Sequence, residues 1–270
     1  MWDLISMKFI ESVKDKTREL IKGAWATLGM PFDLPVINER IEGIIDPEAL
    51  IMATLLLLEQ DRMLTDLPAW FRRFSSLINY QKLKTMVKTM PRQHSSRLAE
   101  TLSQTPFGGV PKSMTNIFNL KETESDAISE TILMRERKLN TIPNVARDSI
   151  MIQNRLLYGT GFRADLITLT HIKGLGMKGT RLAKLLCTND STVSRILKDL
   201  RACRFLDHDN ERIVPIESYP GMFISTQSVW NLCEVIDAFE FSFEELRRGA
   251  FETLDLTHDG FCRKVLSEWA

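Results

Sequence analysis

Residues 180–216 constrain the fold of this 270-residue chain more than any other segment, because their pattern specifies four elements in a fixed order. Apolar residues recur at the spacing of one buried helical face, first before and then after a short polar turn. Asn189 stands at the end of that turn, where a helix N-cap accepts a bond from a free backbone N–H. The apolar positions of the two helices are Leu182, Ala183, Leu185 and Leu186, then Val193, Ile196, Leu197 and Leu200. Two apolar runs, 205–206 and 213–216, flank a turn-rich stretch and predict a β-hairpin.

The second of these helices has a polar face that points away from its apolar stripe. Small hydroxyls on such a face can approach phosphates and base edges, and a long cation can reach guanine or the backbone of double-stranded DNA. The predicted DNA-contacting residues are Ser191, Thr192, Ser194, Arg195 and Lys198, with Thr180 and Arg181 from the first helix and Arg212 from the hairpin. An amphipathic helix must expose something, so the same residues also fit an ordinary solvated face.

The sequence of residues 191–195, STVSR, and its leucine-rich tail resemble the recognition helices of the MarR-like and ArsR-like winged-helix regulators. That resemblance implies a winged helix that binds DNA. It also implies a Gly after the recognition helix, where this chain has Cys203 and Arg204. A second likeness extends further along the chain. Residues 155–159, 162–165 and 46–50 resemble a group of bacterial proteins that carry a winged helix behind a helical N-terminal region, without implying an activity.

The N-terminal half predicts helices that are separated by Pro and Gly breaks. A helix over 4–28 ends at Gly29, since glycine readily adopts the backbone conformation that terminates a helix. Asp46 and Pro47 then begin a helix that is apolar nearly all round, so we expect it to be the central helix of this half. Two more helices follow, over 64–76 and 79–90.

Residues 71–97 contain seven basic and no acidic residues. One interpretation is a second, degenerate helix-turn-helix whose Lys82, Lys84 and Lys88 lie along a duplex. The alternative, which we favour, is that these cations solvate a helical domain, because charge runs usually occupy a solvated face. The chain as a whole has 35 basic and 35 acidic residues, which disfavours a non-specific coat on nucleic acid.

We find no sequence pattern that predicts catalysis, and we predict neither an enzyme nor a bound metal or cofactor. The glycine pattern over 174–179 spells G-x-G-x-x-G but lacks the preceding strand that a dinucleotide site needs. The histidines, including His94 in a predicted basic loop, have no partner at metal-ligand spacing. Of four cysteines, Cys187 and Cys203 are predicted as small buried residues within helices. No secretory signal or membrane span is predicted, which favours a cytoplasmic protein.

The predicted fold class is mainly α. The predicted domains are a helical N-terminal domain over 1–102, a linker over 103–125, a winged helix-turn-helix domain with a short β-hairpin wing over 126–218, and a helical C-terminal extension over 219–270. In the extension, a capping box at Ser242 and Glu245 predicts the start of a second helix. The predicted function is a homodimeric transcriptional regulator that recognises operator DNA, with any small-molecule effector left open. The alternative is a protein-interaction subunit, such as an antitoxin or a component of a defence complex, in which the winged helix is structural.

Overall fold

The computed structural model of the chain is mainly helical, as predicted. The structure describes residues 2–32, 44–58, 61–105, 107, 109–120, 130–171, 178–206, 223–224 and 226–247. The elements in these ranges are α1 (Trp2–Thr27), β1 (Ile44–Ile45), α2 (Pro47–Leu57), α3 (Arg62–Phe74), a 3-10 turn (Ser75–Leu77), α4 (Tyr80–Thr89), α5 (Arg92–Gln104), α6 (Lys112–Phe118), α7 (Glu130–Lys138), α8 (Ile142–Asp148), α9 (Ile150–Tyr158), α10 (Phe162–Leu169), α11 (Gly179–Leu185), α12 (Asp190–Ala202), β2 (Phe223–Ile224) and α13 (Thr226–Arg247). In these described ranges no helix is long and apolar enough to cross a bilayer.

Helix α2 is the central helix, as its sequence predicts. Residues 47–56 are all buried, and the Asp46 side chain caps the helix by accepting bonds from the backbone N–H groups of Glu48 and Ala49 at 3.1 and 3.3 Å. A helix that is apolar nearly all round can be stable in water only where other elements cover every face. The elements that contact it include α3, α4 and α5.

Two tryptophans connect α1, α2 and α3 in the core. The rings of Trp25 and Trp70 meet edge-to-face with their centroids 4.9 Å apart, a favoured arrangement for aromatic pairs. Both indoles are hydrogen-bonded: Trp25 donates to Thr54 Oγ1 at 2.7 Å, and Trp70 donates to the Leu28 carbonyl at 2.9 Å. Gly29 ends α1 with φ +90°, as predicted, and a Cβ there would lie 2.6 Å from a Val145 methyl group.

The sequence did not predict the strands β1 and β2 or the helices α5 and α6. A two-residue parallel pairing joins β1 to β2, with Ile44 opposite Phe223. The predicted linker 103–125 contains α6, which buries Met114 and Phe118. The prediction that His94 lies in a loop is wrong, because this residue is buried within α5.

By its contacts the chain divides into two compact units, one of residues 18–229 and one of residues 1–17 and 230–270. Helix α13 runs without a break through Ser242 to Arg247, so the predicted helix start at Ser242 is wrong. Val229, Cys233 and Ile236, which are buried, share one face, as their spacing predicts. Val229 belongs to the first unit, whereas Cys233 and Ile236 belong to the second.

Helices α10, α11 and α12 share one hydrophobic core, and we call them the three-helix cluster. Every apolar position that the sequence assigned to the core of α11 and α12 is buried there, except Leu185, which is partly buried. Phe162, Leu166, Ile167 and Leu169 contribute the α10 side, and Leu206 closes the core after α12. The remainder of the predicted hairpin, residues 207–216, lies outside the described residues.

Candidate nucleic-acid interface

The outward face of α12 carries the side chains that the sequence singled out. Ser191, Ser194, Arg195 and Lys198 are exposed, and Thr192 is half-buried. The four exposed residues follow the i, i+3, i+4, i+7 spacing, so they form one stripe opposite the stripe that enters the core. Thr180 and Arg181, also exposed, lie in the first turn of α11, while Arg212 lies outside the described residues.

The turn between α11 and α12 is organised by the predicted N-cap. The Asn189 side chain accepts a bond from the Thr192 backbone N–H at 2.8 Å, which satisfies one of the free donors of the helix start. The same oxygen accepts the Ser191 hydroxyl at 2.7 Å. The hydroxyl proton of Ser191 is therefore used inside the turn, and its oxygen lone pairs remain to accept bonds from a ligand.

Helices α11 and α12 both end with a residue in the left-handed conformation. Cys187 has φ +50° and Arg204 has φ +55°. After each helix two backbone bonds follow the Schellman pattern. After α11, Thr188 donates to Ala183 at 2.9 Å and Cys187 to Lys184 at 3.1 Å. After α12, Phe205 donates to Leu200 and Arg204 to Arg201, both at 2.9 Å. Arg204 thus occupies the position at which the MarR-like and ArsR-like regulators, whose recognition helices this sequence resembles, have Gly.

The prediction that Cys187 and Cys203 are buried helical residues is wrong. Cys187 is only partly buried and lies in the turn, and Cys203 is exposed at the end of α12. The physical reason is that both helices end at or just before these cysteines, where the chain leaves the buried stripe.

Positive charge dominates the described surface of the three-helix cluster. Its exposed basic side chains are Arg163, Lys178, Arg181, Lys184, Arg195, Lys198, Arg201 and Arg204. In the described ranges 162–171 and 178–206, the carboxylates that are not buried belong to Asp190 and Asp199. Asp199 is paired with Arg163, whose Nη2 donates to Oδ2 at 2.6 Å. The excess of cations is the condition that phosphate binding requires.

An open groove runs beside α12. The turn over 158–161, between α9 and α10, forms one wall, and Thr192, Arg195 and Asp199 form the other. Its volume is about 510 Å³. Thr160 anchors the turn, because its hydroxyl donates to the Ser76 carbonyl at 2.6 Å. Three consecutive large apolar side chains of α9 are exposed at this end, namely Leu156, Leu157 and Tyr158.

The basic segment 71–97 does not form the continuous face that a second helix-turn-helix needs. Lys82 is completely buried, which overturns the proposed row of Lys82, Lys84 and Lys88. Arg72 donates to the Glu136 carboxylate at 3.1 Å, and Arg73 donates to the Glu136 carbonyl at 2.9 Å. These two arginines join α3 to α7.

The sequence analysis did not predict a buried charge cluster that joins α2, α4, α9 and α10 within the unit of residues 18–229. Its members, all at most 5% exposed, are Asp46, Glu48, Asn79, Lys82, Arg155 and Asp165. Arg155 of α9 binds Glu48 through both terminal nitrogens, at 2.8 and 2.6 Å, and donates from Nε to Asp165 at 2.8 Å. Its Nη1 also donates to the Leu77 carbonyl at 2.6 Å. A planar guanidinium suits such a site because it donates in several fixed directions.

Lys82 is the second cation of the cluster. Its ammonium group binds the Asp46 carboxylate and lies 3.9 Å from Glu48 and 3.8 Å from Asp165. Asn79 completes the site, donating to Asp165 at 3.3 Å, while its own backbone N–H donates to Glu48 at 2.7 Å. Three carboxylates therefore face two cations.

Burial and charge act in opposite directions on the pKa values of this cluster. Burial raises the pKa of Glu48 to about 7, although Arg155 opposes the shift. For Asp165 burial also favours the neutral form, but Arg155 and Lys82 outweigh it and hold the pKa below its ordinary value. The pKa of Lys82 lies above its ordinary value, since the attraction of Asp46, Asp165 and Glu48 outweighs burial.

Comparison of the chain with protein-family models, with curated proteins and with solved structures gave no match.

Proposed function

We propose that this protein binds double-stranded DNA through the outward face of α12 and acts as a transcriptional regulator. The observation that carries the proposal is the stripe of Ser191, Ser194, Arg195 and Lys198, exposed on a helix whose opposite stripe is locked in a core. A helix presented in this way enters the major groove, where Arg reads guanine, the Ser194 hydroxyl donates to a phosphate and the Ser191 oxygen accepts a bond from a base amino group. The surrounding excess of exposed cations supports the proposal, because phosphate contacts supply most of the affinity for DNA.

The proposal assigns different tasks to neighbouring residues. Arg195 reads a base edge, and Lys198 binds a base or a phosphate further along the groove. Thr180 and Arg181, in the first turn of α11, add backbone contacts, as does Arg212 of the predicted wing. Two copies of the chain bind together, because one recognition helix reads few base pairs and a two-fold pair doubles the contacts.

Selection of bound duplexes from a random DNA pool, followed by variant titrations, tests this function. We expect a selected sequence, and an inverted repeat within it would reflect the homodimer. Arg195→Ala is expected to weaken binding to that sequence by about 1–3 kcal/mol and to relax preference at one base position. Arg137→Ala, which removes an exposed cation of α7, is the matched control and leaves the affinity unchanged. Equal affinity of Arg195→Ala and the control would remove α12 as the reading element.

A protein-interaction role is the second candidate, favoured by the exposed side chains of Leu156, Leu157 and Tyr158. Large apolar residues that stay exposed in a row often mark a protein contact. In that case the DNA selection yields no enriched sequence. Leu157→Ser would then abolish partner binding while Arg195→Ala would not.

A further inference from the structure

A cleft between α3 and α7, remote in sequence from the three-helix cluster, has the size and lining of a small-molecule site. Its volume is about 500 Å³, within the range of roughly 300–1,000 Å³ that is usual for ligand pockets. The residues that line it come from the end of α1 and the following segment, from the start of α3, and from α7 and the residue after it. Every one of them belongs to the larger unit.

Among the described residues that line this cleft, the charges do not cancel. Four cations, Lys22, Arg62, Arg135 and Lys138, face two carboxylates, those of Asp61 and Asp66.

Both carboxylates are already engaged. Asp61 lies 3.3 Å from Lys22 and 3.4 Å from Arg18, and it caps α3 by accepting the Met63 N–H at 3.0 Å. Asp66 is paired with Arg135. Among the described residues, no acidic partner remains for the exposed side chains of Arg62 and Lys138.

The cleft also has an apolar wall. It is formed by Met63 and Leu139, which are buried, and by Met134, which is 57% exposed. Methionine is unbranched and polarizable, so it adapts to apolar ligands of different shapes. Pro31 and Phe32 extend this wall.

We propose that the cleft binds a small organic anion with an apolar body, whose charged group meets Arg62 and Lys138 and whose body packs on Met134 and Leu139. Two cations at the edge of an apolar cleft, with no acidic partner among the described residues, are complementary to such a molecule, since hydrogen bonds between ionised partners are the strong ones. The volume fits a small molecule rather than a folded partner. The proposal is independent of DNA binding and holds if the protein has another function.

Fluorescence titration with 8-anilinonaphthalene-1-sulfonate, an aromatic anion, tests the proposal on the full chain. Its uncharged analogue N-phenyl-1-naphthylamine, which lacks the sulfonate, measures the apolar contribution alone. The double variant Arg62→Gln/Lys138→Gln is expected to bind the sulfonate at least about tenfold more weakly, with little change for the uncharged analogue. The control Lys84→Gln/Lys88→Gln removes two exposed charges from α4 and keeps the affinity of the natural chain. Glutamine preserves helix propensity in all four positions.

Octanoate is expected to displace the sulfonate from the natural chain and not from the Arg62→Gln/Lys138→Gln variant. Thermal unfolding of each variant confirms that it is folded. Equal weakening in both double variants would overturn the proposal, because the effect would then come from net charge. Equal affinity for the two dyes would overturn it as well, because the cleft would then select for apolar character only.

Discussion

Cys187 and Arg204 have backbone conformations that L-residues adopt at a cost. Cys187 and Arg204 end α11 and α12 in the left-handed region, where a Cβ crowds the neighbouring carbonyl. Each position is fixed by two backbone hydrogen bonds of a Schellman motif, so the chain cannot relax without losing them. Glycine would adopt the same conformation without the steric penalty.

Arg204→Gly is therefore expected to stabilise the protein by about 1 kcal/mol, because the strain at the end of α12 is removed. Chemical denaturation followed by circular dichroism measures the change. Arg201→Gly is the matched control, since the same substitution within the last helical turn should destabilise by about 1 kcal/mol. A loss of stability in Arg204→Gly would show that the Arg204 side chain contributes more than its strain costs.

At the residue scale, sequence reasoning succeeded where the signal was local. Asn189 and Asp46 were predicted as N-caps because the pattern that identifies a cap spans only a few residues. Lys82 was misplaced because its carboxylate partners are Asp46, 36 positions earlier, and Asp165 on α10. The sequence did show charged residues beside apolar ones in α2, α4 and α10, which indicates that a charge is buried. The pattern of a single helix does not reveal which charged residues of different helices form ion pairs.

At the scale of elements, the buried charge cluster determines which helices can be neighbours. Glu48 enters from α2, Lys82 from α4, Arg155 from α9 and Asp165 from α10. A buried ion pair is often no more stabilising than well-packed apolar residues, but it is intolerant of the loss of one partner. The cluster therefore favours one arrangement of these four helices over alternatives that bury the same apolar area.

Lys82→Met is expected to destabilise the protein by about 3–5 kcal/mol, because it leaves the Asp46 carboxylate buried without its cation. Lys84→Met, two residues away on the same helix, should change stability by less than about 0.5 kcal/mol, since Lys84 is exposed. Urea unfolding of both variants provides the comparison. Similar effects of the two substitutions would contradict the burial of Lys82.

The helices themselves were largely predictable, and their arrangement was less so. Apolar spacing identified the core faces of α11 and α12 and the central position of α2. Helix α5 was missed because its apolar face is sparse, with only His94, Leu98 and Thr101 buried. The pairing of β1 with β2 was beyond sequence reasoning, since two-residue strands more than 170 positions apart leave no periodic pattern.

On the scale of the whole molecule, helix α10 connects the buried charge cluster to the core of the three-helix cluster. Its Asp165 belongs to the buried charge cluster, and its Leu166 and Leu169 belong to the core beneath α12. The chain has equal numbers of acidic and basic residues, but they are unevenly distributed. The charges of the buried cluster nearly balance, whereas the exposed surface of the three-helix cluster is basic. Global stability should therefore respond to the protonation of the cluster.

The direction of that response follows from Glu48. Its pKa in the folded protein, about 7, lies above its ordinary value of 4.5, so the folded state holds this proton more tightly than the unfolded state. The contribution of Glu48 is fully present below pH 4.5 and is lost as pH rises towards and through 7, a change of about 3 kcal/mol. Asp165 acts in the opposite sense, because its pKa is lowered in the folded protein. Its contribution to stability is present above pH 3.8, the ordinary pKa, and is lost as the pH falls further.

We therefore expect the free energy of unfolding to fall between pH 5 and pH 7, and Glu48→Gln to remove the part of this slope that Glu48 causes. Other groups titrate in the same window, so the difference between the natural chain and the variant is the quantity to measure, by urea unfolding at half-unit pH steps. Glu100→Gln, an exposed carboxyl of α5, keeps the natural slope. If Glu48→Gln keeps it too, Glu48 is ionised throughout this range, and Arg155 with the Asn79 N–H compensates its burial completely.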